Sequence, residues 1–74
     1  MSLTGRETQN WLAGEQPAGA AYLAGERVIV RNSEPARTGT VLLLTELEPE
    51  PRYLIEIGRG HYVQARQSDL MRSA

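Results

Sequence analysis

Residues 52–67 read RYLIEIGRGHYVQARQ, and this stretch decides the fold class of the chain. Two alternating segments flank Gly-Arg-Gly at 58–60, and glycine readily adopts the positive φ that a tight turn requires. The pattern predicts a β-hairpin with one buried face. The residues predicted on that buried face are Tyr53, Ile55, Ile57, Val63 and Ala65.

Residues 27–30 and 39–44 predict two further strands, because they also alternate with period two. Between these strands and the hairpin, residues 46–51 read ELEPEP and interrupt the ladder, since proline has no amide hydrogen to donate. The inward residues of the two strands are predicted to be Val28, Val30, Val41 and Leu43.

The fold class predicted from these elements is all-β, a small barrel of about five short strands that ends in a single helical turn. That turn is assigned to residues 67–70, QSDL, with Leu70 entering the core. Residues 21–74 form the predicted barrel domain.

Residues 1–20 are predicted to be an N-terminal leader that is either flexible or a short helix. Thr4 and Glu7 have the spacing of a capping box, and Gly14 is a plausible helix stop, so a helix over residues 5–13 is one alternative. A helix this short persists only if Trp11 and Leu12 dock on the rest of the chain.

Composition limits the function classes that fit this chain. At 74 residues it is one domain near the lower size limit for a single core, and it has no cysteine for a disulfide or a thiolate metal site. Eight arginines and nine acidic residues leave a net charge of −1, which makes nucleic-acid binding unlikely. No apolar run approaches the roughly 20 residues of a membrane span, so no membrane association and a cytoplasmic location are expected.

The outward positions of the strands carry more apolar residues than a half-buried sheet should. A homo-oligomer or a protein partner is therefore predicted to cover this face. The alternative is an intrachain cover by Trp11, Leu12, Tyr22 and Leu23. The residues assigned to the oligomer or cover face are Ile29, Leu42, Leu44 and Leu54.

Candidate chemistry is sparse, and no catalytic residue, metal site or cofactor is predicted. The chain has no nucleophile elbow, phosphate-binding loop or HExxH pair. Glu46, Glu48 and Glu50 are interpreted as a solvated acidic rim rather than a cation site, and His61 as a surface residue. An enzyme is thus the less favoured class.

One polar row on the last hairpin strand is the predicted binding site. Tyr62, Gln64 and Arg66 share a face because side chains alternate along a strand. An aromatic ring, an amide and a guanidinium together suit a peptide, a nucleotide or an acidic loop. The alternative is a solvated face that keeps the domain soluble.

The order of these features resembles the SH3-like small barrels over residues 22–71. The marks are glycine at 25, Gly-Thr-Val at 39–41, the glycines at 58 and 60, and Ser-Asp-Leu at 68–70. The resemblance implies the barrel fold and leaves function open, because such barrels serve in peptide binding, nucleic-acid binding and scaffolding alike.

A narrower, partial resemblance is to the plasmid-borne type II dihydrofolate reductases, carried by GERVIVRN from residue 25, RYLIEI from residue 52 and YVQARQSDL from residue 62. It implies a tetramer around one active pore, lined in that family by a Val-Gln-Ile-Tyr segment that binds folate and nicotinamide cofactor. Val63 and Gln64 match this segment, whereas Ala65 and Arg66 replace its last two residues.

Three functions stay open at this point. The leading hypothesis is a small non-catalytic SH3-like interaction module that self-associates or docks on a protein partner. The first alternative is an oligomeric, reductase-like barrel that binds a small molecule. The second is a weak nucleic-acid binder that uses Arg31, Arg37, Arg59 and Arg66.

Overall fold

A computed structural model of the chain describes residues 4–17, 19–33 and 35–73. Its strands make up one antiparallel sheet, preceded by one short helix and interrupted by one 3₁₀ turn, so the predicted all-β class is confirmed. The elements in chain order are α1 (Gly5–Leu12), β1 (Arg27–Val30), β2 (Arg37–Glu46), β3 (Arg52–Gly58), β4 (His61–Arg66), the 3₁₀ turn (Gln67–Asp69) and β5 (Leu70–Arg72).

The sheet is strongly curled, as its connections show. Its strand order is β4-β3-β2-β1-β5, so β4 and β5 are the two edges. In a flat sheet with about 4.8 Å between strands these edges would lie about 19 Å apart. Only the three-residue 3₁₀ turn joins them, and at about 2 Å per residue it reaches less than half of that distance. The two edges therefore approach each other at this end.

The hairpin predicted at residues 52–67 is present as β3 and β4. Pairing runs from Arg52 opposite Arg66 to Gly58 opposite His61, and Gly60 has a φ of +75° in the turn. β1 has the predicted bounds, whereas β2 extends beyond the predicted residues 39–44 at both ends. The sequence pattern did not locate β5, because three residues are too few to show an alternation.

A bulge in β2 moves Leu44 into the core. Val41 lies opposite Ile55 but Leu43 lies opposite Leu54, so β2 advances two residues while β3 advances one. An extra residue of this kind reverses the faces of the residues that follow it. Leu44 is consequently only 1% exposed, and the prediction that it belongs to the outward face was wrong.

The helix α1 contributes the largest side chain of the core. Its capping box is formed as predicted: the Glu7 amide donates to Thr4 Oγ1, and the Thr4 amide donates to the Glu7 carboxylate. Trp11 is fully buried, its ring centroid lies 6.4 Å from that of Tyr53, and its Nε1 donates to the Tyr22 carbonyl oxygen at 2.8 Å. The buried hydrophobic residues are Trp11, Ala20, Tyr22, Val28, Val30, Val41, Leu44, Tyr53, Ile55, Ala65 and Leu70.

Hydrogen bonds fasten the segment between α1 and β1 to the sheet. The Tyr53 hydroxyl donates to Gln67 Oε1 at 2.6 Å, and the same oxygen accepts from the Ala21 amide at 2.8 Å. Gln67 Nε2 donates to the Gly19 carbonyl oxygen. Arg72 donates to the Ala21 carbonyl oxygen from the other side. The segment is therefore anchored at both the 3₁₀ turn and β5.

The phenol of Tyr53 makes part of the stability of the fold depend on alkaline pH. Burial raises the pKa of Tyr53 above its ordinary value of 10.0. Because the raised pKa belongs to the folded state, its stabilising contribution is complete below the unfolded pKa and is lost as the pH rises through the folded pKa.

We therefore expect the stability difference between wild type and Tyr53→Phe to narrow as the pH rises from about 9 to about 11. At the lower pH the variant should lose about 1 kcal/mol, the worth of its hydrogen bonds. Urea unfolding at each pH measures this, and Tyr62→Phe is the control because Tyr62 is 54% exposed. A difference that stayed constant over this range would contradict the expectation.

Candidate functional site

The strand β4 has a free edge. Its one partner in the sheet is β3. Within residues 4–17, 19–33 and 35–73, no hydrogen bond joins the backbone of residues 61–66 to any other element. Every second residue of such a strand directs its amide and carbonyl groups away from the sheet, where a further extended chain can pair with them.

Two cavities lie along this free edge. The first has a volume of about 280 Å³ and combines apolar side chains with polar ones. The second has a volume of about 270 Å³ and is mostly polar. The first is lined by Val30, Asn32, Ser33, Arg37, Ile57, Val63 and Gln64. The second is lined by Asn32, Arg52, Gln64, Ala65, Arg66 and Asp69.

The two cavities form one groove that follows the edge of β4 rather than either face. They share Asn32 and Gln64, so they adjoin. Residues 63–66 all line one or the other, although successive side chains in a strand point to opposite faces. Only the edge of the strand is common to four consecutive residues. We call this feature the edge groove.

The structure brings two of the three predicted binding residues to the edge groove. Gln64 and Arg66 line it, whereas Tyr62 does not and lies opposite Glu56 in the ladder. The side-chain amide of Gln64 donates through Nε2 to Thr45 Oγ1 of β2 at 2.7 Å and so spans β3 on the outer face. One hydrogen of the Gln64 side-chain amide is therefore already bonded within the chain.

Arginines from two strands meet in the second cavity. Arg66 is exposed, and its Nε lies 3.1 Å from Asp69 Oδ2 and 3.9 Å from Glu50 Oε1. Arg52 lies directly opposite Arg66 and is half-buried. Its Nε is buried and has no hydrogen-bond partner among the described residues. One of the two guanidinium groups is thus neutralised within the chain and the other is not.

Sequence reasoning did not place the groove residues that lie outside β4, although it named Arg37 for the nucleic-acid alternative. Asn32 and Ser33 come from the connection between β1 and β2, Arg37 begins β2, and Arg52 begins β3. Period-two alternation assigns side chains to faces, but it does not show which loop approaches which edge. The one available signal was the polar stretch after residue 30, which is typical of an exposed loop.

The outward apolar face is smaller than predicted. Ile29, Leu42 and Leu54 are half-buried and do not belong to the group of residues packed on the core. Of the four residues predicted as an intrachain cover, Trp11 and Tyr22 lie in the core, Leu23 packs against it and Leu12 is 52% exposed. With Leu44 in the core, three residues of the predicted face remain.

The part of the chain that the structure describes holds no cluster of three or more histidine, cysteine, aspartate or glutamate side chains suited to a metal ion. His61 is exposed at the start of β4. None of the described helical residues forms a helix of the length and apolarity needed to cross a bilayer.

No protein-family model, curated protein or solved structure matches this chain. The geometry and chemistry of the edge groove are therefore the basis for a function.

Proposed function

We propose that this chain is a small, non-catalytic, SH3-like interaction module that binds an extended segment of a partner protein in the edge groove. The observation that carries this proposal is a partly apolar cavity beside an unpaired strand edge. The strand order β4-β3-β2-β1-β5, with a 3₁₀ turn between β4 and β5, supports the SH3-like assignment.

An extended segment suits this site for two physical reasons. Its backbone can pair with the amide and carbonyl groups that β4 leaves free, and alternate side chains can enter adjacent cavities. At about 280 Å³, the first cavity by itself lies just below the roughly 300–1,000 Å³ of small-molecule sites. Each of the two adjoining cavities has room for one side chain of an extended segment.

The test is selection from a display library of random peptides on the wild-type protein, followed by affinity measurements on two variants. Asn32→Trp places a large side chain at the junction of the two cavities, so we expect it to weaken the selected peptides by at least about tenfold. Thr38→Trp is the matched control. Thr38 is an exposed polar residue of β2, which pairs with β1, and it lies outside both cavities.

Thermal melts establish that both variants remain folded before binding is compared. Selected peptides that bind wild type and Thr38→Trp equally, and Asn32→Trp poorly, would support the proposal. Failure of the library to enrich any peptide over an unrelated immobilised protein would overturn it, as would peptides that bind Asn32→Trp as tightly as wild type.

Self-association is a further prediction for the same chain. It would use the three remaining outward residues, Ile29, Leu42 and Leu54, and not the edge groove. Light scattering at high micromolar concentration separates the two surfaces, because a monomer there would refute self-association and leave the peptide site unaffected.

A further inference from the structure

The charge of the edge groove is opposite in sign to that of the chain. Among the described residues that line it, Arg37, Arg52 and Arg66 are cationic and only Asp69 is anionic. The whole chain has a net charge of −1. The groove is therefore a local positive site on a weakly acidic protein, and its field favours an anionic occupant.

The pair formed by Arg52 and Arg66 indicates where a negative group of the occupant would bind. Like charges directly opposite each other on neighbouring strands repel. Asp69 and Glu50 compensate Arg66, but Arg52 has no carboxylate oxygen within 4.0 Å among the described residues, and its Nε is unpartnered. A carboxylate that lies between the two guanidinium groups would relieve the repulsion and accept hydrogen bonds from both.

We propose that the occupant of the edge groove is an acidic extended segment, in which one apolar side chain enters the first cavity and one carboxylate lies between Arg52 and Arg66. This inference depends on the proposed function, because it specifies the partner of the same site. The apolar anchor is set by Val30, Ile57 and Val63, which line the first cavity.

The geometry of β4 fixes the spacing between the anchor and the carboxylate. Val63 lies opposite the buried Ile55 and so faces inward, whereas Arg66 lies opposite Arg52, beside the buried Tyr53, and faces outward. Side chains on opposite faces of an extended segment are an odd number of positions apart. Since Val63 and Arg66 are themselves three positions apart, the segment should carry its apolar residue and its acidic residue at a spacing of three.

Synthetic peptides of about eight residues test this inference, since that length matches an ordinary strand. One set places leucine and aspartate three positions apart in a threonine background, in both orders because the direction of the segment is not fixed. A second set moves the aspartate by one position, to a spacing of two. A third set replaces the aspartate with asparagine.

We expect the spacing-three peptides, in one of the two orders, to bind at least about tenfold more tightly than the other sets, as measured by fluorescence polarisation. Arg66→Gln should remove that advantage. Arg59→Gln should preserve it, because Arg59 is an exposed arginine outside the edge groove. The advantage should also shrink as salt is added.

The outcomes separate this inference from the proposed function. Equal binding by all three sets, blocked by Asn32→Trp, would overturn the acidic segment and retain the peptide site. No binding by any set would overturn the acidic segment and leave the peptide site to the library selection, whereas binding that Asn32→Trp does not weaken would overturn both. A short oligothymidylate that bound the groove more tightly than every peptide would overturn the acidic segment in favour of nucleic acid.

Discussion

Leu44→Asp should abolish cooperative folding. Leu44 is 1% exposed and lies opposite Tyr53 in the core, so the substitution removes a packed side chain and buries a carboxylate without a partner. Together these costs amount to about 4 kcal/mol or more. A single core in a chain of this length rarely supplies more than about 3–5 kcal/mol, so most or all of the stability would be lost.

Leu42→Asp is the matched control, because Leu42 is a neighbouring leucine at the bulge and is only half-buried. We expect it to cost about 1 kcal/mol and to leave a cooperative transition. Urea unfolding followed by tryptophan fluorescence and circular dichroism measures both variants. If Leu42→Asp were the more damaging of the two, the bulge would be misplaced and the faces of β2 would be the reverse of those described.

Trp11→Ala should destabilise the whole domain rather than the helix alone. Trp11 is fully buried, packs on Tyr53 and donates a hydrogen bond to the Tyr22 carbonyl oxygen. Loss of a buried tryptophan typically costs about 3–5 kcal/mol, which is a large part of the stability of so small a chain. We therefore expect the melting temperature of the strands to fall steeply, as followed by far-ultraviolet circular dichroism.

Leu12→Ala tests whether that loss is specific to the docked side chain. Leu12 is the next residue of α1 and is 52% exposed, so its replacement should change the stability by less than about 0.5 kcal/mol. A strand transition that was identical in wild type and Trp11→Ala would show that α1 folds independently of the sheet.

Local sequence features predicted most elements of this fold. Features that depend on contacts between distant residues could not be predicted from the sequence. The Gly-Arg-Gly turn at 58–60 and the alternation around it were enough for the hairpin, because both act between near neighbours. The capping box of Thr4 and Glu7 likewise located α1. Leu44 was misassigned because nothing in the run of leucines signals where a bulge interrupts the alternation.

The candidate site could be predicted only in part for the same reason. Gln64 and Arg66 follow from the outward positions of one strand. Asn32 and Arg37 reach the same groove through the curl of the sheet, which depends on how the 3₁₀ turn joins two strands that are four positions apart in the sheet order. The role of Arg52 could not be predicted from its own strand, because it depends on the position of Arg52 opposite Arg66.

Amide hydrogen exchange of residues 61–66 distinguishes paired from free positions along β4, because each amide reports on its own partner. In the free protein we expect slow exchange for the amides that pair with β3 and fast exchange for the alternate ones at the free edge. Saturation with a spacing-three acidic peptide should then slow the fast set. Uniform protection in the free protein, or fast amides that stay fast when the peptide is bound, would contradict a binding site at the edge of β4.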